Sequence, residues 1–285
     1  MQEIKCRIAP SLGGGFAGTP EQVWGTAPYN PETDIDKPCV FFGIYGLPDF
    51  YALWRHKGKK WILWAGSDIQ HLINGYWLDD SEWGAKLPPE SLADWINRNC
   101  ESWVENENER EDLATVGIEA QVCPSFLGYI DDYPITFTPN DRPQVYASVS
   151  GDNFDLYGWN IIEQIADKCD VDFYLYGSAN WETKHHNVFI QGRVPKEQMN
   201  LEIQSMQCGL RLNDKDGFSE VLAKSVLWGQ YPLTWAHFKY PFIGAFNNKV
   251  SLIKELNQLK NKTQPNIEAR NHYQRNLNRY PWIKK

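Results

Sequence analysis

NVFIQGRVPKEQMNLEIQSMQCGLRLNDKDGFSEVLAKSVLWGQYPLT, residues Asn187–Thr234, holds two strand-turn-helix units in succession. The apolar run Val188, Phe189, Ile190 ends in Gly192, and Pro195 with Glu197 opens a segment whose Met199, Ile203 and Met206 recur at helical spacing. A second run, Cys208, Leu210, Leu212, breaks into the polar turn Asn213 to Gly217. From Ser219 a helix carrying Val221, Leu222, Ser225 and Val226 runs to Gly229, a residue suited to the position after a helix, before the extended Tyr231 to Trp235. Strands alternating with helices predict a parallel sheet covered on both faces, with ligands held outside the carboxyl ends of its strands.

Working outward, Gln144 to Val149 begins the same α/β domain, Gly151 to Asn153 forms its first turn, Trp159 to Cys169 is an amphipathic helix and Val171 to Tyr176 the next strand. Gly128 to Pro143, rich in Asp and Pro, reads as a linker. Before it, Ile4 to Ala9 is a strand followed by the turn Ser11 to Gly15, and Cys39 to Gly46 is a buried strand. Asp49 to Trp54 is a short helix behind Pro48, and Lys60 to Asp68 a strand ending in Gly-Ser-Asp. Pro88, Pro89 and Ser91 introduce a helix with Leu92, Trp95 and Ile96, and Ser102 to Val104 is a short strand. Glu105 to Val116 reads as an acidic helix with a solvated face, and the last helices are Lys249 to Lys260 and Ile267 to Arg279.

The turn Asp216, Gly217, Phe218, Ser219 and the helix after it resemble the C-terminal half of the GT-B glycosyltransferases, in particular the large group 1 family that uses nucleotide-sugars. Lys224 and Ser225 stand where that family has Glu and Ala, Gly229, Tyr231 and Pro232 follow as its Gly-x-Pro turn does, and Gly192 to Glu197 is similar to its Gly-x-Val strand end. The resemblance implies an α/β chain of two Rossmann-like parallel-sheet domains facing a central cleft. They are expected as residues 1–135 on the acceptor side and 136–265 on the donor side, with a C-terminal helix over 266–285 packing back on the first domain.

The 285 residues suit two domains of about 100 to 150 residues each. No apolar run approaches the ~20 residues that span a bilayer, and the N-terminus lacks a signal-peptide core, so a soluble, cytoplasmic protein is expected. Six scattered cysteines without a CxxC pair argue for reduced thiols and against a zinc module. A net charge of -8 disfavours a simple nucleic-acid binder, yet residues 260–285 carry seven Lys or Arg and a single Glu. That basic tail is either a solvated helix facing an acidic body or a contact for an anionic acceptor or lipid surface. The thirteen tryptophans are expected mainly in packing.

The function implied by the resemblance is transfer of a sugar from a nucleotide-diphosphate donor to a hydroxyl acceptor, with no cofactor and no bound metal. Gly14 and Gly15 then belong to a loop lining the donor, and Gly217, Phe218 and Ser219 to a helix start whose amides face it. Asp216 falls at the family's first acidic position, near the donor sugar. Lys224 replaces the ribose-binding Glu, and a cation cannot accept from ribose hydroxyls, so Glu220 is the expected substitute. The family's Arg and Lys clamp is absent from Gly151 to Gly158, which leaves Arg193, Lys215 or Lys224 to meet the diphosphate, Arg193 being preferred. Asp68, at a strand end of the first domain, either caps a helix or projects as the catalytic base. The alternative is a degenerate, noncatalytic GT-B protein that binds glycans or a partner.

Overall fold

The computed structural model describes residues 3–16, 18–74 and 89–283. Pro88, Lys284 and Lys285 lie outside the described residues. The chain folds into two compact units. The first comprises residues 1–128, 215–217 and 276–285, and the second residues 129–214 and 218–275.

In the first unit the elements run β1 (Lys5–Ile8), α1 (Thr19–Val23), β2 (Ala27–Pro28), β3 (Cys39–Phe42), α2 (Leu47–Arg55), β4 (Lys60–Leu63), α3 (Ser67–Ile73), α4 (Pro89–Asn99), β5 (Glu101–Val104), α5 (Glu107–Thr115) and β6 (Ala120–Val122). The six strands form one parallel sheet in the order β2-β1-β3-β4-β5-β6. All four residues of β3 are buried, as a strand covered on both faces requires. One face packs Ile62, Trp64, Leu92, Ile96 and Leu113, and the other Trp24, Trp61, Trp103, Tyr280 and Trp282. Tyr280 and Trp282 stack with centroids 4.5 Å apart, so the last turns of the chain supply core to this unit.

The second unit runs β7 (Gln144–Ser148), α6 (Trp159–Ile165), β8 (Asp172–Tyr176), β9 (Val188–Gly192), α7 (Lys196–Ile203), β10 (Cys208–Gly209), α8 (Glu220–Leu227), β11 (Leu233–Trp235), β12 (Gly244–Phe246), α9 (Lys249–Gln258) and α10 (Ile267–Asn276), the last up to Arg275. A four-stranded parallel sheet has the order β10-β7-β8-β9, and β11 pairs with β12 in parallel. A parallel bridge between Leu210 and Leu233 extends β10 towards β11. The strands therefore lie in the order 12-11-10-7-8-9, the doubly wound Rossmann sequence with its reversal between β7 and β10. Val145, Trp159, Ile162, Phe173, Leu175 and Leu252 are central to its core.

Two expectations change. The second run of the opening stretch keeps only Cys208–Gly209 as regular strand, continued by the single bridge at Leu210. The acidic helix is not wholly solvated: Asn106 and Glu109 are buried, because Asn106 caps α5 by accepting from the Glu109 amide at 2.9 Å and turns the Glu109 side chain inward.

Candidate functional site

In a doubly wound sheet the ligand crevice lies where the strand order reverses, outside the carboxyl ends of the strands. In the second unit that place is between β7 and β10. The segment after β7 turns through Gly151 and Gly158, both with positive φ, and a Cβ at Gly158 would overlap Leu212, so this loop closes directly on the one after β10. There the Arg211 guanidinium lies 4.7 Å over the Tyr157 ring, a cation–π contact that fixes a positive charge beside this loop. Asn213 is buried in the same loop, and its Oδ1 has no hydrogen-bond partner among the described residues.

Beyond this loop Ser219 caps α8, its Oγ accepting from the Leu222 amide, with Glu220 in the first turn. A helix start of this kind carries partial positive charge suited to phosphate. Phe218 is buried, stacked on Tyr273 at 4.8 Å, and anchors the helix rather than facing outward. Lys224 is also buried: Nζ donates to Asn200 Oδ1 at 3.0 Å, and desolvation lowers its pKa. Arg193 follows Gly192 at the end of β9, two strands from the reversal, exposed and with no ion pair among the described residues. Asp152 ties the loops after β7 and β8 together by accepting from Ser178 Oγ at 2.6 Å and Asn180 Nδ2 at 2.9 Å, which hold its carboxyl below the usual range.

The same rim of the first unit is acidic. Gly14 and Gly15 lie in the 3₁₀ segment Pro10–Phe16 that follows β1. Asp68 is not the cap of α3, a position held by Gly66, but sits in its first turn, completely buried. Its Oδ2 accepts from the Ile44 amide at 2.8 Å and Oδ1 from Ala65 and Ile69 at 2.9 Å each, joining the loops after β3 and β4. Burial pushes its carboxyl up to about 7 against the pull of those amides. Glu109 Oε2 accepts from the Glu105 amide at 2.8 Å, while Oε1 is buried without a hydrogen-bond partner among the described residues. Burial first, then the nearby Glu105, Asp68 and Asp216 charges, raise the Glu109 carboxyl well above its ordinary value.

Residues 215–217 belong to this acidic group. Asn106 Nδ2 donates to the Asp216 carbonyl at 2.8 Å, and Lys215 Nζ donates to Gln70 Oε1 at 3.0 Å. Glu105 accepts from Ser125 Oγ, and a Cβ at Gly217 would overlap the Glu105 carboxylate, so glycine is needed for that close approach. Sequence reasoning missed Arg211, Glu105 and Glu109. The spacing Asn106-x-x-Glu109, a capping-box pattern, carries the signal for the last.

Among the described residues no group of three or more His, Cys, Asp or Glu is placed to hold a metal ion. All six cysteines are free, and no described helix is long and apolar enough to cross a membrane. Of the tail cations, Lys260 pairs with Asp170 at 3.4 Å, Lys262 lies over Tyr231 and Arg270 donates to the Tyr133 carbonyl.

No protein-family model matches the chain, and no curated protein matches its sequence. Solved structures do match. The lipopolysaccharide outer core galactosyltransferase WaaB, in its apo form, is similar over 98% of this chain and 96% of its own, with a TM-score of 0.59 at 11% identity. Anabaena HepE in complex with UDP and glucose is similar over 97% and 95%, with a TM-score of 0.55 at 11% identity. TarM aligns with 82% of this chain at a TM-score of 0.55 and 16% identity, and only half of TarM's length is covered. At these identities the likeness is one of fold, and together with the parallel sheets it gives this chain the GT-B fold.

Proposed function

We propose that the protein transfers a sugar from a nucleoside-diphosphate donor to a hydroxyl acceptor, without a bound metal. The observation that carries this reading is the reversal between β7 and β10, where Arg211, the start of α8 and the loop Gly151 to Gly158 meet one rim. In the reaction the bond from the anomeric carbon to the diphosphate oxygen breaks, a bond to the acceptor oxygen forms and the hydroxyl proton passes to the departing diphosphate or to water. Negative charge then grows on the departing diphosphate. Arg211, Arg193 and the free amides of α8 supply fixed positive charge for it, the part a metal plays elsewhere.

Asp216 and Gly217 are assigned to the donor sugar, and Glu220 to the ribose hydroxyls, since Lys224 is engaged with Asn200. Asp68 serves here as a positioning residue, because both its oxygens are already bonded and it is completely buried. HepE was crystallised with UDP and glucose, so uridine donors are the first to try. The test is turnover of a panel of nucleotide-sugars by purified protein, read as free nucleoside diphosphate released. Turnover of one donor supports the reading, and none across the panel sinks it.

The buried Lys224 in place of the family's acidic residue favours a second reading, a GT-B protein that binds glycans or a partner without catalysis. An anionic acceptor held by the C-terminal cations is a narrower proposal. Salt-independent acceptor binding would remove it.

A further inference from the structure

The second unit has a cavity of about 270 Å³ at the opposite end of its sheet, where β11 and β12 begin. Ligands of the doubly wound fold lie outside the carboxyl ends, so this cavity is separate from the rim assigned to the donor. Its wall combines Phe242 with Glu255, Glu268, Gln258, Asn266 and Lys262.

Phe242 is the unusual residue. Its φ is 61°, in the left-handed region where a bulky side chain is a strained exception, and it follows Pro241 in a turn position that ordinarily takes glycine. The ring is more than half exposed and leans against His272, with centroids 5.2 Å apart. A strained backbone that displays an aromatic ring at the mouth of a cavity serves what the cavity holds better than it serves the fold.

The polar wall narrows the occupant. Two carboxylates, neither with an ion-pair partner among the described residues, oppose an anion. Lys262, whose Nζ lies 4.9 Å over the Tyr231 ring, occupies the aromatic face that a ligand cation would seek. Carboxylates that only accept, an ammonium that only donates and two amides that do both suit a neutral ligand dense in hydroxyl groups. With an apolar ring at the edge and room a little below the about 300 Å³ at which small-molecule pockets begin, that ligand is a mono- or disaccharide. We propose that this cavity is a saccharide-binding site, separate from the donor site and independent of whether the protein turns a donor over.

The experiment is a titration of the full chain with glucose, N-acetylglucosamine and maltose, with UDP present throughout, followed by amide NMR. Choline and inorganic phosphate serve as charged probes. Saturable shifts with at least one sugar, in residues around Phe242, are expected. Phe242→Gly should weaken that binding roughly tenfold through loss of the ring contact while leaving the melting temperature unchanged or higher, because glycine relieves the strain. Glu255→Gln and Glu268→Gln, which keep the shape of the wall, should each weaken it by about threefold. The proposal is overturned if no sugar shifts these residues, if choline or phosphate binds there more tightly, or if Phe242→Gly binds sugar as well as the parent. A fall in melting temperature for Phe242→Gly would overturn it too, since the ring would then serve the fold.

Discussion

The two rims are built from opposite materials. The first sheet ends in carboxyl groups, Asp68, Glu105 and Glu109 with Asp216 beside them, and most of their oxygens are tied to backbone amides or hydroxyls of the loops. The second carries Arg193, which is exposed, Arg211, which is half-buried against Tyr157, and a capped helix start. Both sheets follow the same doubly wound logic, so the contrast resides in the loops. The proposed donor site places the diphosphate on the second unit, while the first unit's carboxyl groups are partly a structural device, each buried acid holding a loop in place.

The largest expected effect breaks the acidic side. Asp68→Ala removes the acceptor of the buried Ile44 amide and the half-buried Ala65 amide, leaves the Ile69 amide only its bond to the Gly66 carbonyl, and should destabilise the first unit by about 2–4 kcal/mol. Urea unfolding followed by tryptophan fluorescence reads this, since Trp61, Trp103 and Trp282 lie in that unit. Were Asp68 the catalytic base instead, the loss would fall on turnover with stability unchanged. Next comes Arg211→Ala, which should lower donor kcat/KM about 100-fold, as removal of one preorganised charge stabiliser does, with stability changed by less than about 1 kcal/mol.

The third prediction concerns pH. Asp68 has an ordinary value of 3.8 and is pushed up to about 7 in the folded chain, and Glu109 is raised in the same direction. At these two groups the folded state therefore binds more protons than the unfolded one across this interval, and their contribution to stability falls as pH rises from about 4 to about 7, while His56 and His272, lowered by burial, contribute in the opposite sense. Glu109→Gln keeps a neutral side chain at every pH and should flatten part of that slope. A Glu109→Gln variant whose urea midpoint follows the same pH slope as the parent would contradict the assignment. The smallest effect is at Arg193, exposed and two strands from the reversal, where Arg193→Ala should raise donor KM by about threefold to tenfold with kcat little changed.

Much of this contrast is legible in the sequence. Ser219 and Gly229 mark the two ends of α8, and the alternation of apolar runs with helical spacing from Asn187 onward announces the second sheet. What is not legible is where each strand stops. Leu212 continues the apolar alternation of Cys208 and Leu210, which makes Arg211 look like a mid-strand residue. In the fold the regular strand is only Cys208–Gly209, Leu210 bridges Leu233, and the Arg211 amide donates to the Leu233 carbonyl while its guanidinium lies over Tyr157. Likewise a run of charges from Glu105 reads as solvated until tertiary packing turns Glu109 inward. Lys224 lies on the expected helix, but its side chain runs to Asn200 rather than to a ligand, a choice made by α7 and invisible in local spacing.

Calorimetric titration of UDP into the parent protein and into Arg211→Ala tests the central claim, that the second unit's rim holds the diphosphate, most directly. Saturable binding by the parent, weakened by at least about tenfold in the variant, is the predicted result, as loss of a charge-assisted contact to phosphate requires. Equal affinity in the two proteins, or no binding of UDP by the parent, would contradict it.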